Sequence, residues 1–211
     1  MKTLTLLLST LLVAGASAEP PCCKVVAPAA GYTDKSLYQL DSSWTSDVGK
    51  QVKLEVLRGR PQVITMFFAR CEYTCPMIVQ HMRDLERALP DSLQGKVDFL
   101  LVSFDTDRDT PEALRAFRER LKLPTESWTL LRGGADDVRE LAALLGINFA
   151  KDARGQYSHS NVIIVLNADG EIAFQHTGVA SGRAELLTAL KRLDSNSKLS
   201  YSQPETNPQK Q

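Results

Sequence analysis

The sequence predicts one α/β domain, a central mixed β-sheet flanked by helices. Short runs of apolar, β-branched and aromatic residues alternate along the chain with segments of helical periodicity. The last two such runs flank Asn167-Ala168-Asp169-Gly170, a tight-turn sequence that joins antiparallel strands. A length of 211 residues suffices for one domain with a substantial core and is short for two.

Each element has its own signal. Residues 62–68 (Gln-Val-Ile-Thr-Met-Phe-Phe) read as a buried strand, and the Cys71 to Pro76 segment follows directly. Residues 77–89 place Met77, Ile78, Met82, Leu85 and Leu89 at helical spacing and stop at Pro90. Residues 96–104 form a second buried strand. Residues 110–121 open with Thr-Pro-Glu, a helix start with proline at the first helical position, and end before Pro124. Residues 128–131 read as a short strand, and 135–145 as a helix stopped by Gly146. Residues 161–166 and 171–176 make the hairpin, and 181–193 a closing amphipathic helix. This β-α-β-α-β-α-β-β-α order is that of a thioredoxin-like domain.

The ends read differently. Lys2, the apolar run 4–13 and Ala16-Ser17-Ala18 have the pattern of an export signal, expected over residues 1–18 and cleaved. The run is shorter than the roughly 20 residues that cross a bilayer, so no permanent span is expected; an uncleaved N-terminal anchor is the alternative. Cys22 follows Pro20-Pro21 rather than small residues, which argues against lipidation. Residues 19–34 are rich in Pro, Ala and Gly and read as a tether, 35–194 as the folded unit, and 195–211 as a disordered polar tail. Lys plus Arg and Asp plus Glu number 25 each, and without a basic surplus nucleic acid is not an expected partner.

Four cysteines in an exported chain usually mean disulfides, but the spacing resists that reading. Cys22 and Cys23 are adjacent, which a relaxed disulfide rarely allows. A bridge between Cys71 and Cys75 closes too small a loop to be a useful staple. The second pair stands where a strand gives way to a helix, the end of an α/β sheet where chemistry collects. With Pro76 taken as the first helical residue, Cys75 falls at the N-cap, and the helix end should depress its pKa. A thiolate is both nucleophile and metal ligand, so redox and metal chemistry both stay open.

Three histidines are available for a third ligand. His81 on a helix and His176 at a strand end read as structural or solvated; His159 stands in Tyr157-Ser-His-Ser-Asn161, at a junction between a charged, Gly-containing loop and a buried strand. Met66, Met77 and Met82 fit core packing better than ligation. Asp105, Asp107 and Asp109 read as a turn leading to a helix cap, with Arg108 available to pair with one of them.

Three stretches together resemble the Sco/SenC family: Cys71-Glu-Tyr-Thr-Cys75-Pro76 after an apolar strand, Val102-Ser-Phe-Asp-Thr-Asp-Arg-Asp-Thr-Pro111, and His159-Ser160 ahead of Ile163-Ile-Val-Leu-Asn-Ala-Asp-Gly170. The resemblance covers about residues 62–193. It implies a thioredoxin-like copper-binding protein of respiratory assembly, with Cys71, Cys75 and His159 as copper ligands and Asp105 beside the site. Two thiolates and an imidazole suit Cu(I) and can also hold Cu(II), whereas structural zinc asks for a fourth ligand. The implied function is a periplasmic metallochaperone, a monomer, that passes copper to the cytochrome c oxidase subunit carrying the CuA site, or to another copper or thiol protein. A thiol-disulfide oxidoreductase that keeps partner cysteines reduced is the alternative, with Cys71 and Cys75 as its reactive pair; peroxide reduction shares the fold but has no specific motif here. Residues 40–57 depart from the family's Gly-containing opening hairpin and show only a turn at 48–52.

Overall fold

The structure, a computed structural model, describes residues 31–153, 155, 157–178 and 181–201. The expected signal segment, nearly all of the tether, Cys22, Cys23 and the end of the tail lie outside the described residues. Among the described residues no helix is long and apolar enough to cross a membrane.

Nine strands and four α-helices follow in chain order among the described residues: β1 (Trp44–Ser46), β2 (Gln51–Val52), β3 (Gln62–Phe67), α1 (Thr74–Arg87), β4 (Asp98–Ser103), α2 (Pro111–Leu121), β5 (Trp128–Arg132), α3 (Ala135–Leu144), β6 (Phe149–Lys151), β7 (Tyr157–His159), β8 (Val162–Leu166), β9 (Ile172–Thr177) and α4 (Arg183–Tyr201). Seven strands form one sheet in the order β2-β1-β5-β4-β3-β8-β9, while β6 and β7 pair apart from it. The three central neighbours β3, β4 and β5 run parallel, and the outer pairings are antiparallel. The sheet is mixed, as expected.

Sequence explains why the centre is buried. Every residue of β3 and β8 is buried, so neither shows the polar alternation of a half-exposed strand. Phe67 packs on Phe117 of α2 with centroids 4.6 Å apart, and Phe99 stacks on Trp128 at 4.8 Å. Thr110 caps α2 by accepting from the Ala113 N–H, with Pro111 at the first helical position. The β8–β9 turn has Gly170 at φ +81, and the Asn167 side chain accepts from the N–H groups of Asp169 and Glu171.

Five expectations need correction. Residues 40–57 do hold a hairpin: Gly49, at φ +80, turns the chain between β1 and β2, so Gln51 and Val52 are strand rather than turn. Residues 151–155 lie not in a plain loop but at the tip of the β6–β7 hairpin. Met66 and Met82 are buried as expected, whereas Met77 is 51% exposed on the first turn of α1. Finally, α4 continues past Ser195 to Tyr201, and the tether's last residues join the domain: Tyr32 donates to Glu55 and Thr33 to Glu171.

Candidate metal centre

Two crossings of the sheet build the site. β3 ends at Phe67, and the chain turns through Cys71, whose N–H donates to the Phe68 carbonyl at 3.1 Å, into α1. Beside β3 runs antiparallel β8, with Ile64 opposite Ile164. Extending that register brings the chain just before β8 level with the residues just after β3. His159 therefore meets a cysteine 84 positions away: Cys75 Sγ lies 3.7 Å from His159 Nε2.

The histidine is oriented from behind. Its Nδ1 is 3.1 Å from the Ser160 carbonyl, which can only accept a hydrogen bond. Nδ1 therefore carries the proton, and Nε2 turns its lone pair toward Cys75. The ring sits among aromatics, 5.1 Å from Phe104 and edge-on to Phe68 at 6.1 Å.

Cys71 and Cys75 are both free thiols, and α1 makes them unequal. Its N-cap is Tyr73, so Cys75 is the second helical residue and Pro76 the third. The Cys75 N–H donates to Cys71 Sγ at 3.2 Å. Hydrogen bonding from the Cys75 side chain, and then from the backbone N–H groups of the first turn, draws the Cys71 thiol down to about 5. Cys75 is fully buried; its bond to Cys71 and its burial push its thiol well above the ordinary range. The expectation of a depressed Cys75 is thus overturned. The helix starts earlier than Pro76 suggests, because a proline at any of the first positions loses no helical hydrogen bond, and the helix end acts on Cys71 instead.

Cys71, itself only 8% exposed, lines a cleft of about 360 Å³ together with Phe68, Arg70, Tyr73 and Arg108. Tyr73 is 77% exposed at its rim.

Asp105 is wholly buried near this cluster and accepts from Arg108 Nε at 2.6 Å and from the Tyr157 hydroxyl at 3.4 Å. Asp109 turns inward too, accepting from the Ala69 N–H and the Ser103 hydroxyl, and burial raises its pKa. Asp107 stays at the surface, paired with Lys151. His81 and His176 lie elsewhere, on α1 and β9. Among the described residues no three His, Cys, Asp or Glu side chains already converge closely enough to hold a metal; Cys75 and His159 meet, with Cys71 one turn back. Sequence reasoning passed over Phe68, Phe104 and Tyr157. The available signal was Tyr157-x-His159, two residues on one face of a strand.

A family model described as SCO1/SenC matches residues 31–193. The chain belongs to the SCO1/SenC family. Among curated proteins, it is 29% identical over 136 residues to the SCO1 protein homolog of Bacillus subtilis, covering 62% of this chain and 69% of that one. Among solved structures it is similar to the SCO1/SenC family lipoprotein of Bacillus anthracis, at TM-score 0.65 and 25% identity over 72% of this chain and 91% of that one. It also shares the fold of copper-bound ScoI from Bradyrhizobium japonicum, at TM-score 0.60 and 21% identity over 72% and 96% of the two chains. The fold is thioredoxin-like, as the element order predicted.

Proposed function

We propose that this protein binds copper as cargo through Cys71, Cys75 and His159 and delivers it to the CuA-bearing subunit of cytochrome c oxidase, as an exported protein without a permanent membrane span. The observation that carries the reading is the 3.7 Å approach of His159 Nε2 to Cys75 Sγ in a SCO1/SenC family member. Relatives named for copper, among them copper-bound ScoI, support the same cargo. The donor set fits it: two sulfurs and an imidazole nitrogen are soft enough for Cu(I) and too few for structural zinc. Binding replaces the Cys75 proton by the metal, so loading releases protons and is favoured as pH rises. Cys71, beside the cleft, is the thiolate a partner's cysteine reaches first, and stepwise thiolate exchange moves the ion.

An anaerobic Cu(I) titration of the reduced protein against a competing chelator tests this reading. One tight equivalent is expected, weakened strongly in His159→Ala and in the Cys71→Ser/Cys75→Ser double variant. Affinity indifferent to His159 would remove the histidine from the site, and absence of tight binding would end the copper reading.

A second reading, thiol-disulfide exchange on partner cysteines, draws on the inequality of the pair. A Cys71 thiolate beside a protonated Cys75 is the division of labour between an attacking and a resolving thiol. Oxidation to a Cys71–Cys75 disulfide removes both sulfur ligands, so the two readings describe one site in two redox states.

A further inference from the structure

His159 rides on β7, outside the seven-stranded sheet, so the β6–β7 hairpin must be held in place by side chains. Its inner face packs on aromatics: Phe149 stacks on Phe104 at 5.1 Å, and Tyr157 lies 5.0 Å from Phe104 and 5.4 Å from Phe68. Ring contacts supply area but fix position along the strand poorly. Two cations supply directional contacts: Lys151 of β6 pairs with Asp107 at the exposed surface, and Arg108 reaches inward to buried Asp105. Arg108 donates through Nε to Asp105 and through Nη2 to the Gly155 carbonyl at 2.8 Å, and its guanidinium lies 5.6 Å from the centre of the Tyr157 ring. The Tyr157 hydroxyl closes the circuit on the other Asp105 oxygen. Asp105 is itself anchored at the end of β4, where its N–H donates to Ser103 Oγ at 3.0 Å. The cap of α2 is the Thr110 side chain, not that of Arg108.

We propose that Arg108 is a positioning residue, a clamp from buried Asp105 to the β6–β7 hairpin that fixes His159 at the distance and angle needed to complete the metal site. The assignment rests on His159 as a copper ligand. A planar guanidinium serves two acceptors in fixed directions, whereas an ammonium is a point charge whose three rotating donors impose no such geometry. Arg108→Lys therefore keeps the charge and loses the clamp.

Two measurements test it. In the reduced, metal-free protein, Arg108→Ala and Arg108→Lys are expected to raise amide exchange in peptides covering residues 149–160 while those covering β3 and β4 keep their protection. Unchanged exchange in the hairpin overturns the clamp. In Cu(I) competition, both variants should weaken affinity by about ten- to a hundred-fold, the range for groups that orient a metal ligand, and Arg108→Ala should cost nothing further in a His159→Ala background. Equal losses in both backgrounds would show a general electrostatic effect and overturn the clamp. If His159→Ala alone leaves copper affinity unchanged, the ligand reading fails, and the exchange measurement still decides the clamp by itself.

Discussion

Cys71 and Cys75 have the same side chain, and one helical turn separates their chemistry. Cys71 stands outside α1, where it collects the Cys75 N–H and the polarity of the helix end. Cys75 is inside the first turn, buried, against a histidine that offers it a lone pair. In the reduced protein, alkylation of Cys71 followed by peptide mass spectrometry should stay near its maximal rate as pH falls until about 5, below which the thiolate fraction drops. Cys75→Ala removes the largest contribution to that lowering and should move the midpoint up toward an ordinary thiol. A wild-type midpoint already in the ordinary range, or faster labelling of Cys75, would defeat the assignment. The cysteine pair was legible because its spacing and its place at a strand end are local features, whereas His159 entered as a third donor through the resemblance to the Sco/SenC family. Which thiol is the acidic one was not legible, since it turns on whether the helix begins at Thr74 or Pro76, and proline fits either start.

At the scale of elements, long periodic segments were readable and short ones were not. β3, β4, β8, α2 and α3 lie within a residue or two of their expected bounds because the strands are continuous apolar runs and the helices pair a hydrophobic period with a Pro start or a Gly stop. β1, β2, β6 and β7 have two or three residues each, too few for alternation to register, and tertiary contacts define them. The β1–β2 turn is fixed from outside by an ion pair between Asp47 and Arg118 of α2, both nearly buried, and Arg118 also donates to the carbonyls of Leu123, Pro124 and Trp128. β1 is seated by Trp44, fully buried over Gly133. A Cβ added at Gly133 would stand 2.6 Å from the Trp44 ring, and the glycine is not in the left-handed region, so Gly133→Ala isolates the steric cost. Urea denaturation should show a loss of about 1–3 kcal/mol, the usual cost of overpacking. An unchanged midpoint would mean that β1 and the β5–α3 junction are not packed as described.

For the whole molecule, the decisive feature is that β8 returns beside β3 and antiparallel to it. One end of the sheet, after β3 and before β8, then gathers the proposed donors from distant parts of the chain, and no local segment contains them all. An unfolded chain does not hold the three donors together, so an ion bound at all of them stabilises the native state by mass action. Free Cu(I) at a hundred times its dissociation constant should add about 2.7 kcal/mol. Anaerobic thermal unfolding of the reduced protein at rising buffered Cu(I) should therefore show a midpoint that climbs with the logarithm of free copper. In the Cys71–Cys75 disulfide form the same copper should leave the midpoint unmoved, because both sulfur donors are consumed. In His159→Ala the climb should begin at higher copper, since only the α1 end of the site remains and β8 is no longer tied to it through the metal. A midpoint in His159→Ala that tracks wild type at every copper concentration would place the ion on the cysteine segment alone, and the juxtaposition of β3 and β8 would then serve packing rather than binding.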